Sequence, residues 1–457
     1  MFAKETYIAR RAKLKQTIGS GLLLFLGNDE SGMNYADNTY HFRQDSTFLY
    51  FFGLPYAGLS SIIDIDNNRE IIFGDELTID AIVWMGTQPT LKEKSEAAGI
   101  TEVRPFKEID TYLKNAQQKG QPIHYLPTYR AEHQIKLFQW LGVVPGAEKP
   151  SVPFIMGVVN QRNYKSEEEI AEIEKACIVT ADMHLAAMRT VRPGIRESEV
   201  AAAVAEVAYA NNYELSFPII ATINGQTLHN HDHSNLIKSG DMLLLDAGAE
   251  TEMGYAGDMS STIPADAKFT TRQREIYDIQ VAAHEAAVAA LRPGIPFVDV
   301  YELSCKVIME GLKELGFVKG DPMEAVKAGA HAMFMPCGLG HMMGLDVHDM
   351  ENLGEIYVGY DGQPKSTEFG RKSLRLGRKL EPGFVLTIEP GVYFIPELID
   401  MWKAEKKFTN FINYDKVETY KDFGGIRNEE DYLITETGAR RLGKKIPLTP
   451  EEVEALR

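Results

Sequence analysis

The chain has 457 residues, which is too long for one ordinary hydrophobic core and favours two domains. Its hydrophobic content of 44% and charged content of 25% are those of a soluble globular protein, not of a disordered one. The formal net charge of −17 argues against nucleic acid or an anionic membrane as the main partner, because both require a basic protein face.

Export and membrane insertion are not indicated by any segment. Residues 1–16 lack the apolar stretch of a signal peptide, and no run approaches about 18 uninterrupted apolar residues. Three cysteines, Cys177, Cys305 and Cys337, make neither a disulfide framework nor a zinc knuckle. We therefore predict a cytoplasmic protein with no membrane partner.

The N-terminal third has the pattern of an α/β domain. Strand-like apolar runs occupy residues 21–27, 46–54, 59–66 and 69–74, with turn residues between them. Between about residues 77 and 150, short helical patterns alternate with strands and proline-rich connectors. We assign residues 1–160 to this domain.

The second domain, residues 161–457, opens with a helix-start signal. Ser166 followed by Glu169 is a capping box, and Ile173, Cys177 and Ala181 continue an apolar face after it. The pattern predicts a long helix at the beginning of this domain.

An internal repeat runs through the second domain. Residues 181–202 resemble residues 282–303: each copy is an alanine-rich helix, then Arg-Pro-Gly-Ile, then the start of another helix. Each copy is followed downstream by an apolar strand that ends in an acid, Asp246 after the first and Glu389 after the second. We predict a duplicated α+β module whose acids meet at a pseudo-twofold axis; the alternative is a chance match of the four-residue string.

Five potential metal ligands stand at strand ends or between glycines in this domain. They are Asp246, Asp258, His341, Glu389 and Glu429. The turn-rich segment between the two aspartates predicts a hairpin that carries both to one face. No comparable Lys or Arg stands beside each acid in the sequence, and an unpaired carboxylate at the end of an apolar run is costly. Four hard oxygen donors and one imidazole suit two divalent cations, which makes a metal-activated hydrolase the leading hypothesis.

These residues also admit other interpretations. The aspartates could be exposed turn acids, and a lone histidine such as His341 is more often structural than a ligand. Glu430 and Asp431, next to Glu429, are interpreted as solvated or structural. The second histidine of a zincin, a nucleophile elbow and a phosphate-binding loop are absent.

Taken together, these stretches resemble the aminopeptidase P and prolidase family, whose catalytic domain has the pita-bread fold shared with methionine aminopeptidase and creatinase. The resemblance covers nearly the whole chain. It is carried by residues 40–55, 227–231, 244–250, 254–264, 338–349, 381–394 and 423–435. It implies an α/β N-terminal domain followed by an α+β pita-bread catalytic domain with an internal pseudo-twofold duplication.

The resemblance also implies roles for individual residues. The five candidates above fall on the family's metal ligands, and Glu389 is placed to take the proton of the attacking water. His229 and His348 fall on histidines that contact substrate and assist proton movement. From their sequence setting alone, His231 and His233 are interpreted as outer or solvated neighbours. Arg427 falls beside the last ligand. Residues 373–383 are similar to a prolidase segment whose arginine, here Arg375, holds the substrate's C-terminal carboxylate.

Two positions depart from the family pattern. Cys337 stands where the family usually has a histidine four residues before the ligand His341, and a neutral thiol is a weak donor. This puts one substrate hydrogen bond in doubt and leaves the metal site intact. Asn428 replaces a branched apolar residue, which is a minor change.

The resemblance implies a dinuclear metallo-exopeptidase, an Xaa-Pro aminopeptidase (aminopeptidase P) that splits the bond between an N-terminal residue and a following proline. The expected metal is manganese, with cobalt or zinc as substitutes, and the expected assembly is a homodimer. The alternative is prolidase, an Xaa-Pro dipeptidase restricted to dipeptides, which Arg375 favours. A non-enzymatic peptide-binding relative and a creatinase-like non-peptidase are further alternatives, and the complete ligand set argues against both.

Overall fold

The computed structural model describes all residues, 1–457, and divides into two compact units. The first unit contains residues 1–162 together with residues 350–357, and the second contains residues 163–349 and 358–457. None of the helices combines the length and apolar character that crossing a bilayer requires.

The first unit is an α/β domain with one five-stranded sheet in the order β4-β3-β2-β1-β5. Its strands are β1 (Leu22–Leu26), β2 (Ser60–Asp64), β3 (Arg69–Gly74), β4 (Glu102–Pro105) and β5 (Ile123–His124). Its helices are α1 (Lys4–Ile18), α2 (Ser46–Phe52), α3 (Ile79–Met85), α4 (Leu91–Ala97), α5 (Glu108–Gln118), α6 (Ala131–Leu141) and α7 (Val152–Arg162). The predicted alternation of helices and strands beyond residue 77 is confirmed.

One predicted strand in this unit is wrong, because residues 46–52 form the helix α2. The side chain of Asp45 accepts a hydrogen bond from the Phe48 N–H at 2.9 Å and so caps the helix start. Gly53, at φ 65°, ends the helix in the left-handed conformation. Every residue of α2 is buried. A run that is apolar on all sides has no periodicity, so its aromatic residues suit a buried helix as well as a buried strand.

The second unit is an α+β domain. Its helices are α8 (Glu167–Thr190), α9 (Glu197–Ala210), α10 (Thr271–Ala290), α11 (Phe297–Glu314), α12 (Pro322–Ala328), α14 (Pro396–Ala404), α15 (Tyr414–Val417) and α16 (Pro450–Glu454). The short helix α13 (Glu355–Val358) begins in the first unit and ends in the second. Short 3₁₀ turns occupy Ala330–Met333, Glu351–Leu353, Arg371–Ser373 and Glu418–Tyr420. Its strands are β6 (Glu214–Leu215), β7 (Ile220–Thr222), β8 (Met242–Ala247), β9 (Ala249–Glu250), β10 (Met259–Pro264), β11 (Val385–Ile388), β12 (Gly391–Phe394), β13 (Gly424–Arg427), β14 (Glu430–Ile434) and β15 (Ala439–Arg441).

Both long helices that begin the two repeats are capped as their sequences suggest. Ser166 and Glu169 form the predicted capping box at the start of α8, and Thr270 and Gln273 form another at the start of α10. These helices pack on strands of four small sheets, ordered β10-β8-β7, β11-β14-β15, β12-β13 and β6-β9.

The two Arg-Pro-Gly-Ile turns make the same backbone contacts. In the first, the Gly194 N–H donates to the Ile237 carbonyl at 2.9 Å, and the Ile237 N–H returns a bond to Ile195. In the second, Gly294 donates to the Leu380 carbonyl at 2.8 Å, and Leu380 returns a bond to Ile295. Asp246 follows Ile237 at the spacing at which Glu389 follows Leu380. This repetition of contacts is the structural form of the duplication.

Candidate metal centre

The two aspartates lie on a β-hairpin, as the sequence predicted. Strands β8 and β10 pair antiparallel, and Asp246, within β8, stands opposite Ser260. Asp258 immediately precedes β10, two residues before Ser260. Because side chains alternate along a strand, Asp258 lies on the same face as Ser260 and therefore beside Asp246.

The two glutamates face each other where one antiparallel ladder is interrupted. Ile388 pairs with Glu430 on one side of the break, and Gly391 pairs with Arg427 on the other. Glu389 and Glu429 occupy the gap between these pairs. The Glu429 N–H also donates to the Ser260 carbonyl at 3.0 Å, which joins this break to the aspartate hairpin.

His341 is fixed between glycines that allow a close backbone approach. A Cβ atom at Gly340 would lie 2.0 Å from the Thr387 carbonyl oxygen, so only glycine fits there. His341 Nδ1 lies 3.1 Å from the Met342 carbonyl oxygen and must donate its proton to it. Nε2 is then the unprotonated nitrogen, and it faces Asp258 Oδ2 at 3.3 Å and Glu389 Oε1 at 3.7 Å.

The structure brings the five candidates to one place. One potential ligand atom from each of Asp258, His341 and Glu429 lies within 4.8 Å of the others, and all three residues are buried. Asp246 and Glu389 are near enough to act electrostatically on Glu429. The cluster therefore draws on four separate stretches of backbone, which no local sequence pattern links.

A cation accompanies Asp246 in the fold, although none stands beside it in the sequence. Arg427, 3% exposed, donates from Nη2 to Asp246 Oδ2 at 2.6 Å. One buried arginine does not balance four carboxylates. Burial and the neighbouring acids raise the pKa of Asp258 and that of Glu429 well above the usual range, and burial is also the main cause of the raised pKa of Glu389.

The residues present fit divalent cations. Asp246 Oδ1 and Asp258 Oδ1 are buried and have no hydrogen-bond partner. A buried carboxylate oxygen without a donor is costly, and a cation is the partner that would satisfy both oxygens. The other ligand atoms are carboxylate oxygens and one imidazole nitrogen, a donor set for hard or borderline divalent metals.

The predicted substrate-contacting residues surround the carboxylates. The rings of His348 and His341 have centroids 4.3 Å apart. Part of the His229 side chain is exposed to solvent. Desolvation of its buried part, and then the positive charge of Arg427, lower the pKa of His229. Arg375 is half-buried and contributes to the field at His229, His341 and Glu389.

Cys337 lies beside a tyrosine that sequence reasoning missed. Burial raises the pKa of the Cys337 thiol to about 12, so the thiol is neutral. Together with Leu228 and Ile395, it packs against the buried cluster of Ile220, Leu244 and Tyr393. Tyr393 Oη accepts a hydrogen bond from Arg427 Nη1 at 2.9 Å. Its position in the sequence could have indicated this role. Tyr393 lies two residues after Gly391 in a strand that begins just after Glu389, and alternate residues of a strand share a face.

Two further polar residues, Ser260 and Asp431, form hydrogen bonds with the candidate ligands. Ser260 Oγ donates to Glu429 Oε2 at 2.7 Å and accepts from Arg427 Nε at 3.0 Å. Asp431 Oδ2 accepts from the Asp258 N–H at 3.1 Å, and Glu430 accepts from the Tyr432 hydroxyl at 2.7 Å. Glu430 and Asp431 are 5% and 0% exposed, so the solvated interpretation is wrong and the structural one is correct.

Comparison with known proteins identifies both units. The sequence model of metallopeptidase family M24 matches residues 171–436, and that of the aminopeptidase P N-terminal domain matches residues 7–124. The chain is 32% identical to the Xaa-Pro aminopeptidase of Escherichia coli (strain K12), over 99% of this chain and 98% of that one. It is 28% identical to the human Xaa-Pro dipeptidase, over 98% of this chain and 91% of that one.

Solved structures agree with these matches. A substrate complex of a variant of E. coli aminopeptidase P superimposes with a TM-score of 0.81 at 30% identity, covering 100% of this chain and 98% of that one. Proline aminopeptidase P II from Yersinia pestis superimposes with a TM-score of 0.82 at 28% identity, covering 100% and 99%. The pita-bread fold predicted for the catalytic domain is thereby confirmed.

Proposed function

The chain belongs to metallopeptidase family M24 and is a metal-dependent Xaa-Pro exopeptidase, and we propose that it acts as an Xaa-Pro aminopeptidase on peptides longer than a dipeptide. The observation that carries the metal-dependent chemistry is the convergence of four carboxylates and one histidine around a single buried arginine. A non-enzymatic relative would have no use for such a costly arrangement.

The ligands we propose are Asp246, Asp258, His341, Glu389 and Glu429. Two divalent cations held by them would supply Lewis-acid activation of the scissile carbonyl and of a water molecule. We propose manganese, since a carboxylate-rich set suits it, with cobalt or zinc as substitutes. The Nδ1–H···O=C bond of His341 supports this assignment, because such a bond commonly orients a metal-binding imidazole.

Glu389 is the proposed general base. Its side chain is 20% exposed, against 4% for that of His341, so water reaches it more readily. We propose that Glu389 takes the proton of the attacking water and later delivers it to the proline nitrogen.

His229 and His348 are the proposed substrate-contacting groups. His348 stacks edge-on against His341, and His229 stands exposed within the field of Asp246 and Arg427. Imidazole N–H groups at these positions can donate to the scissile carbonyl oxygen as negative charge develops on it. Arg427 is proposed to orient Asp246 and to border the substrate site.

Substrate length is proposed to depend on Arg375 and Cys337. A guanidinium close to Glu389 could hold the free carboxylate of a dipeptide, which favours the prolidase alternative. Cysteine in place of a larger histidine leaves more room for a chain that continues beyond proline. We propose that the additional room prevails and that longer peptides are cleaved at least as well as dipeptides.

One assay tests both the metal requirement and the length preference. Purified protein is stripped with a chelator and then incubated with Gly-Pro, Gly-Pro-Xaa tripeptides and longer Xaa-Pro peptides, with and without added manganese. We expect activity only with metal, and kcat/KM for the longer peptides at least equal to that for Gly-Pro. Full activity in chelator would refute the metal centre, and cleavage of dipeptides alone would make the enzyme a prolidase.

We also propose a cytoplasmic homodimer. Helix α3 supports self-association, because it buries none of its residues and exposes Ile79, Val83, Trp84 and Met85 by 72%, 72%, 84% and 73%. Light scattering during gel filtration measures the mass directly. A Trp84→Ser variant should dissociate more readily than the wild-type protein, whereas a wild-type monomer would contradict the proposal.

A further inference from the structure

The loop that carries His229 is tied to helix α9 at both of its ends. This loop, residues 223–235, leaves strand β7 at Thr222 and returns towards strand β8. At its middle, the Leu228 carbonyl oxygen accepts from Arg427 Nη2 at 3.5 Å, so the loop reaches the carboxylate cluster. His229 follows at once and is exposed. The position of His229 therefore depends on what holds the loop ends.

A single carboxylate joins those ends. Glu197, in the first turn of α9, is 0% exposed. Its Oε1 accepts from the Ile223 N–H at 2.7 Å. Its Oε2 accepts from the Asn235 N–H at 3.1 Å and from Asn235 Nδ2 at 2.9 Å. Three N–H donors thus share one buried carboxylate, and two of them lie at opposite ends of the loop.

Backbone bonds fasten the second limb of the loop to the same helix end. The N–H groups of Glu197 and Ser198 donate to the carbonyl oxygens of Asn235 and His233, each at 3.1 Å. No such backbone bond joins Ile223 to α9. The first limb is therefore tied to α9 through the Glu197 side chain.

The repeat indicates that the fold of the module does not require this carboxylate. The position equivalent to Glu197 in the second copy is Phe297, which is 0% exposed and packs in the core. Both copies nevertheless form the same turn and the same backbone bonds to Ile237 or Leu380. The turn therefore forms without an acid at this position, and the carboxylate of Glu197 is particular to the first copy.

We propose that Glu197 is a positioning residue, which clamps both limbs of loop 223–235 and thereby sets the place of His229 against the substrate. The inference rests on the proposed role of His229 in contacting substrate. Both oxygens of the carboxylate act only as acceptors. Glutamine keeps the size of the side chain but turns an NH₂ group towards N–H donors, so one limb is released.

A double-mutant cycle tests whether Glu197 acts through His229. The variants are Glu197→Gln, His229→Ala and the two combined, with Glu199→Gln as a matched control. Glu199 lies in the same turn and caps α9 by accepting from the Arg196 N–H at 2.8 Å, without touching the loop. Thermal unfolding and metal analysis accompany the measurement of kcat/KM on a Gly-Pro-Xaa tripeptide.

We expect Glu197→Gln to lower kcat/KM by about tenfold or more in the wild-type background, and by less than about twofold in the His229→Ala background. Metal content should stay at the wild-type level, and Glu199→Gln should retain full activity. Equal losses in both backgrounds would mean that Glu197 acts on the fold in general and would overturn the proposal. The same holds if His229→Ala leaves kcat/KM unchanged.

Hydrogen–deuterium exchange separates a failure of this proposal from a failure of the proposed function, because it needs no substrate. The amides of Ile223 and Asn235 should exchange faster in Glu197→Gln than in the wild-type protein, with helix α9 itself unchanged. Asn235→Ala, which removes only the 2.9 Å side-chain bond, should give a smaller increase. Unchanged exchange in Glu197→Gln would overturn the clamp even if the enzyme proved to have another substrate.

Discussion

Replacing Asp258 by asparagine should weaken metal binding and at the same time stabilise the metal-free protein. Ligand atoms of Asp258 and Glu429 lie within 4.8 Å of each other in a buried site. At an effective dielectric constant of about 20, two unit charges at that separation repel by about 3.5 kcal/mol. Protonation of one carboxyl relieves part of this repulsion at neutral pH. We therefore expect Asp258→Asn to raise the free energy of unfolding of the metal-free protein by about 1–3 kcal/mol.

The same repulsion should make the stability of the metal-free protein depend on pH. Burial, then Glu429, raises the pKa of Asp258, so the folded protein binds protons more tightly than the unfolded chain. This contribution to stability is complete below the unfolded carboxyl pKa of about 4 and is lost as the pH rises through the folded-state pKa. The wild-type metal-free protein should therefore lose stability between acid and neutral pH more steeply than Asp258→Asn.

Thermal unfolding of both proteins, in chelator and in manganese, measures these differences, and elemental analysis counts the bound metal. The wild-type protein should gain far more from manganese than Asp258→Asn, because a ligand that binds only the folded state stabilises it by mass action. Asp400→Asn, an exposed acid paired with Lys421, is the matched control and should change nothing measurable. If Asp258→Asn melts earlier than the wild-type protein in chelator and gains as much from manganese, the reasoning is refuted.

Three further outcomes are expected. Arg375→Ala should lower kcat/KM for Gly-Pro by about ten- to a hundredfold, because a charge-assisted pair with the dipeptide's carboxylate is lost, and should lower kcat/KM for longer peptides much less. Equal losses for both substrates would show that Arg375 does not bind the dipeptide's carboxylate. Gly340→Ala should reduce metal content and stability because its Cβ would lie 2.0 Å from a carbonyl oxygen, whereas Gly438→Ala, with open space, should be tolerated. Lys165→Met should lower the free energy of unfolding by about 3–5 kcal/mol, since it breaks a 2.7 Å ion pair between two side chains that are each 1% exposed. Adding Asp349→Asn should recover part of this loss, and additive losses would contradict the coupling of the two residues.

The N-terminal domain shows where local sequence patterns succeed and where they do not. Alternating helical and strand patterns beyond residue 77 were predicted correctly, because each element carries its own periodicity and turn residues. The strand prediction for residues 46–52 is wrong, since a fully buried helix has the same unbroken apolar pattern as a buried strand. Only packing on all sides, together with the cap from Asp45, decides between the two.

The sequence by itself determined the chemistry of the catalytic domain. Acids at the ends of apolar strands, a histidine between glycines and the hairpin between Asp246 and Asp258 are local features, and they indicate a divalent-metal hydrolase without reference to any relative. The duplication was also readable, because both copies retain the same turn residues.

The tertiary structure alone decided which groups satisfy these acids. Arg427 pairs with Asp246, Ser260 with Glu429, and Glu197 with both ends of the His229 loop, all across long stretches of chain. Burial of Glu430 and Asp431 likewise depends on strands that are distant in sequence. Local propensity depends on neighbours along the chain. The partner of a buried charge depends instead on which strands and helices the fold brings together, and no local sequence pattern indicates that pairing.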